Sequence, residues 1–211
     1  MNRFMKSLTL MLALGGATAC GEELADSTYS GEARYTVSGE VQSLSPVETQ
    51  GKTRVSLVWD NWARNGDVVS FQSVELTSKN PPFDYALSLL DDPATGALND
   101  FQPGLLGTAY IVVYEDLDGD GTLNEGDTMR GMASRHLMLF VPEVTPELKA
   151  KLQEWGRIQN LEDLKPGYNL ARGICHTGED YGYDDLRIVS NEPVPVASME
   201  ALNEGGCLNF H

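Results

Sequence analysis

The sequence predicts a mainly β protein, an antiparallel β-sandwich with one short helix. Three observations predict it. Short runs in which apolar and polar residues alternate recur along residues 32–211, and period two is the signature of a half-buried strand. Turn-forming residues separate the runs, at Asn65-Gly66, Asn80-Pro81-Pro82 and Pro103-Gly104. Helical spacing is confined to one segment near residues 146–155. The roughly 180 residues from 32 to 211 suffice for one core and are short for two domains.

Taken in order, strands are expected around Ala33-Tyr35-Val37, Val55-Leu57-Trp59, Val69-Phe71 running on to Val74 and Leu76, and Tyr85-Leu87-Leu89. Thr108 to Tyr114 is β-branched and aromatic and reads as a buried strand. His136 to Val141, Tyr168 to Leu170 and Leu186 to Val189 continue the series, for seven to nine strands in all. The helix has its own signals. Thr145 is the expected N-cap, Pro146 suits the first helical position, and Glu147 favours the positive end of the dipole. Leu148, Leu152 and Trp155 fall on one face, and Gly156 is the expected stop. The order of these elements resembles immunoglobulin-like or transthyretin-like lipoprotein modules. That likeness is architectural and assigns no activity.

The most informative stretch is Asp116-Leu-Asp118-Gly-Asp120-Gly-Thr122-Leu-Asn124-Glu-Gly-Asp127. Asp116, Asp118 and Asp120 stand at positions 1, 3 and 5 of a twelve-residue loop, with Gly121 at 6. Thr122 offers a carbonyl at 7, Asn124 stands at 9 and Asp127 at 12. Three carboxylates this close repel one another unless a cation lies between them, so Ca²⁺ is the expected ligand. The stretch resembles the EF-hand calcium loop, and in particular the isolated loops of dockerin-type and other extracellular modules. It departs from the EF-hand pattern in carrying Asp127 rather than Glu at position 12, and no helix is expected on either side. Asp-Gly pairs also favour a solvated turn between two strands, which is the competing reading.

The N-terminus carries an expected address. Arg3 and Lys6 open the chain, Ser7 to Ala17 is a run of apolar and small residues too short to span a bilayer, and Ala17-Thr18-Ala19-Cys20 follows. The segment resembles a bacterial lipoprotein signal, with Ala17 where that family prefers Leu. The resemblance implies removal of residues 1–19 and a lipid-modified Cys20, so that the membrane is a partner through the anchor alone. Residues 20–31 then read as a flexible polar tether. Gly21, rather than Asp, after Cys20 implies the outer membrane of the bacterial envelope.

With Cys20 lipidated, Cys175 and Cys207 remain, an even pair expected to bond in an oxidising compartment; the alternative is two separate thiols. Removing residues 1–19 takes away Arg3 and Lys6 and no acid, leaving 13 basic against 31 acidic residues, a formal −18. Nucleic acid and anionic lipid surfaces are therefore poor partners, and no nucleic-acid partner is expected.

No nucleophile elbow, phosphate-binding loop or metalloprotease helix occurs. His136 opens an apolar strand and reads as a satisfied edge residue. Trp59 reads as a core residue at a strand end, close to Trp62. One other segment invites a ligand. His176-Thr-Gly-Glu179-Asp180-Tyr181-Gly-Tyr183-Asp184-Asp185 places tyrosines beside carboxylates, a combination that stacks on and hydrogen-bonds a sugar or peptide. The bland reading is a solvated loop; paired carboxylates for hydrolysis are the remotest. The expectation is thus a non-enzymatic, membrane-anchored module with a calcium loop, meeting an envelope protein or glycan.

Overall fold

The computed structural model describes residues 32–48, 51–60, 68–133, 135–155, 158–174 and 185–204. Residues 1–31, Trp62, Cys175, Cys207 and the acidic loop with Asp180, Tyr181, Tyr183 and Asp184 lie outside these, as do the side chains of Val69, Phe71 and Trp155.

The described residues are mainly β. Twelve strands run in the order β1 (Tyr35–Val41), β2 (Lys52–Asp60), β3 (Val68–Glu75), β4 (Phe83–Leu89), β5 (Asn99–Asp100), β6 (Leu105–Asp116), β7 (Thr128–Ala133), β8 (His136–Val141), β9 (Ile158–Gln159), β10 (Gly167–Ile174), β11 (Asp185–Val189) and β12 (Val196–Ser198). Helix α1 (Pro146–Trp155) lies between β8 and β9, and α2 (Met199–Glu204) follows β12.

β6 organises the sheet because both of its edges are used along most of its length. One edge pairs with β2 from Thr108 to Asp116. The other pairs first with β8, over Gly107 to Ala109, and then with β7, over Val112 to Glu115. From this fork β7 leads to β12, β1 and β4, whereas β8 leads to β10, β11 and β9. The two arms touch. Tyr35 on β1 and Tyr168 on β10, far apart in strand order, bring their rings to 6.2 Å. Side chains of both arms meet in one core, in which Trp59 meets Phe140 edge-on at 6.4 Å and Tyr168 at 6.4 Å. Trp59 is fully buried, as its place at a strand end suggested.

The expected antiparallel sheet is corrected to a mixed one. β1 runs parallel to β12, and β9 runs parallel to β11. Alternation reports which face a residue occupies and carries no information on a neighbour's direction. The strand count rises from the expected seven to nine to twelve, because β5, β9 and β12 are too short to show a period and β7, Thr-Met-Arg-Gly-Met-Ala, does not alternate in burial. The second helix was likewise hidden, being six residues long.

The expected helix forms with its expected cap. Thr145 Oγ1 accepts from Leu148 N at 3.1 Å, and its carbonyl accepts from Lys149 N at 3.0 Å. Leu148 and Leu152 are fully buried in a second core with Leu106, Leu139 and Ile188, on the outer face of β8, β10 and β11. Each such leucine stabilises the packing by about 1.5–3 kcal/mol. A third cluster puts Leu202 of α2 against Val58, Val112 and Met132, with Leu123 from the β6–β7 connection packed beside them.

Candidate metal centre

The segment between Asp116, the last residue of β6, and Thr128, the first of β7, is a hairpin connection. Its base is held by paired strands, with Glu115 opposite Thr128. Its tip turns tightly because Gly119 and Gly121 adopt φ of +77° and +79°, which side chains rarely tolerate.

Within this turn the carboxylates converge. One ligand atom each from Asp116, Asp118 and Asp120 lies within 4.8 Å of the others, and the three could hold a metal ion. Asp116 is buried, whereas Asp118 and Asp120 face solvent. Backbone amides orient every one of these carboxylates. Gly119 N donates to Asp116 Oδ1 at 2.8 Å and Gly121 N to Asp116 Oδ2 at 3.1 Å. Asp120 N donates to Asp118 Oδ1 at 3.1 Å, and Thr122 N to Asp120 Oδ1 at 2.7 Å. The Asp120 amide, followed by the Asn124 side chain, holds the Asp118 carboxyl below its ordinary pKa, so it stays ionised.

The donor set fits a hard cation. All three donors are carboxylate oxygens, the ligand type that hard cations take. A second feature marks the same point. Asn124 Nδ2 donates to Asp118 Oδ2 at 3.1 Å, Asp120 Oδ2 at 3.2 Å and the Thr122 carbonyl at 3.4 Å. Three of the sequence-expected ligands therefore aim oxygens at one positively polarised group, as they would at an ion.

Asp127 takes a different place. Its Oδ1 accepts from Leu117 N at 2.9 Å and its Oδ2 from Asn124 N at 3.0 Å, so it ties the two ends of the loop together and stands outside the three-carboxylate group. A carboxylate at position 12 has one methylene fewer than the glutamate of a full EF-hand, which shortens its reach.

Residues that the sequence did not single out support the loop from beneath. Glu115 is buried and accepts from Thr53 Oγ1 at 2.7 Å, Gly51 N at 3.0 Å and Arg130 Nη1 at 2.6 Å. Arg54 Nη1 lies 3.7 Å from Asp116 Oδ2, and Ser73 Oγ donates to the Gly121 carbonyl. Arg130 is the extra residue where the register of β7 on β6 shifts between Val113 and Tyr114, so regular strand alternation carries no signal for its place beside Glu115.

His136 is corrected. It stands opposite Arg172 of β10, and the register of β8 on β6 spans only Met138 to Phe140; what fails is the expectation that its ring is satisfied. It is 5% exposed, and neither ring nitrogen has a hydrogen-bond partner. Burial pushes its pKa down from 6.5, opposed by Glu192 and assisted by Arg172 and Arg135. No protein-family model, no curated protein and no solved structure matches this chain.

Proposed function

We propose that this chain is an envelope lipoprotein module anchored through Cys20, in which Ca²⁺ bound by Asp116, Asp118 and Asp120 with the Thr122 carbonyl stiffens the β6–β7 hairpin, while Asn124 and Asp127, ligand positions by sequence, brace the loop through their hydrogen bonds. The observation that carries the calcium reading is the convergence of the three carboxylates within 4.8 Å. The role is structural and presents a surface to an envelope partner. Leu117 and Met129, large apolar side chains left 37% and 39% exposed, flank the base of the same loop and support an interaction surface there.

A single loop without a partner loop or a long position-12 carboxylate binds weakly, with a Kd on the order of 10⁻⁴–10⁻³ M. At about 1 mM free calcium the tighter limit adds roughly 1.4 kcal/mol. Melting in calcium against EDTA should then differ by roughly 3–6 °C for a chain of this size. The D118A/D120A double variant should melt at one temperature in both buffers. An equal calcium shift in that variant would move the site elsewhere.

The anchor and the cysteine pair rest on sequence alone and are tested separately. Detergent phase partitioning should recover the wild type with detergent and C20S in the aqueous phase. Non-reducing mass spectrometry should find the Cys175 and Cys207 peptides joined; alkylation of both thiols in protein from the native envelope would refute the bond.

A further inference from the structure

A second site lies at the far end of the sheet, on β10 and β11. A groove of about 580 Å³ opens there, within the range of small-molecule sites. Its walls include Tyr35 and Tyr168, and its charged groups are Lys165, Arg172 and Arg187 against Asp163 and Glu192. In a chain of formal charge −16 this is a locally cationic cleft.

The register makes the cation pair specific. Arg172 on β10 stands directly opposite Arg187 on β11, so both guanidiniums leave the same face of adjacent strands. Like charges directly opposed are destabilising unless an anion is shared between them. Glu192 pairs with Arg172, and among the described residues no acid pairs with Arg187. The exposed Arg187 donates through Nη2 to the neutral Gln159 Oε1 at 3.3 Å. Lys165 is also exposed at the rim. On the other side of Arg172, across the β10–β8 ladder, stands His136, buried with both ring nitrogens unpartnered.

We infer that this groove binds a small oxyanion, a carboxylate or phosphate group that lies between Arg172 and Arg187 while the tyrosine walls cover the body of the ligand. A guanidinium fork matches either group through two parallel N–H donors. The confined volume and the acidic remainder of the surface favour a small molecule over a polyanion. The site shares no residue with the calcium loop and does not depend on it.

The test is a titration of the full-length chain, calcium-free and at constant ionic strength, with inorganic phosphate, succinate and sodium chloride, followed at the arginine Nε–Hε resonances. Saturable shifts at Arg172 and Arg187 with phosphate or succinate, and none with chloride, are the expected result. Which of the two binds more tightly separates a phosphate-bearing from a carboxylate-bearing ligand. R187Q, a change at an exposed side chain, should weaken binding about tenfold or more, and R187K should recover part of it as a point charge. D118A/D120A should bind as the wild type does. Shifts that chloride reproduces, the absence of any saturable shift, or an R187Q variant that binds as tightly as the wild type would each overturn the assignment.

Discussion

Arg54 competes with the ion that the loop is proposed to hold. Its guanidinium stands 3.7 Å from Asp116 Oδ2, so Asp116 is partly neutralised before any cation arrives. Replacing it by Gln removes a unit charge a few ångströms from the site, and R54Q should bind calcium about three- to tenfold more tightly in calorimetry. Glu115 makes the opposite case, a buried carboxylate whose removal strands partners. E115A leaves Arg130 and Thr53 without their acceptor and should cost about 3–5 kcal/mol in urea unfolding. His136 predicts a pH dependence. Its folded pKa lies below 6.5, so the unfolded chain takes up the proton more readily and stability rises with pH. The contribution is complete above about pH 6.5 and is lost as pH falls below that value through the folded pKa. The denaturation midpoint of wild type should therefore drop between about pH 7.5 and 5.5 by more than that of H136L.

At the scale of elements, the β6–β7 hairpin and the β2–β3 pair show two ways of making a sheet hold a position. The hairpin loop is pinned inward by Leu123 in the third core and tied across its mouth by Asp127. In the β2–β3 pair the register shifts between Ser56 and Leu57, and the extra residue, Gln72, takes φ of 48°. The bulge turns Gln72 toward β4, where Nε2 donates to the Ser88 carbonyl at 3.3 Å and Oε1 accepts from Leu90 N at 2.9 Å. It thereby joins two strands that the backbone ladder leaves unpaired. Thr145 caps helix α1 at its N-terminus, and T145A should lower stability by about 1 kcal/mol. Along β6, Gly107 lets the Trp59 ring approach, since a Cβ there would meet Trp59 Cζ3 at 2.6 Å. G107A should therefore shift the tryptophan emission as well as the melting temperature.

Across the whole molecule, legibility followed physical range. Features set within a few residues were readable: the buried run of β6, the capped α1, the core position of Trp59 and the spacing of Asp116, Asp118 and Asp120. Features set by distant pairing were not. The parallel β1–β12 contact joins Val41 to Val196, and the Gln72 bridge and the Arg172–Arg187 rung exist only once registers are fixed. His136 was misread for the same reason, because the side chains that distant strands pack over it decide whether its ring finds a partner. The candidate centre belongs to both classes. Its carboxylates are local and were legible, while Glu115, Arg54 and Arg130 arrive from strand partners.

The most direct measurement is isothermal calorimetry of calcium binding to the wild-type chain beside D118A/D120A. One site with a Kd on the order of 10⁻⁴–10⁻³ M, lost in the double variant, is the predicted result. No heat of binding to the wild type at millimolar calcium would contradict it and leave the Asp116–Asp127 segment as a turn held by its own hydrogen bonds.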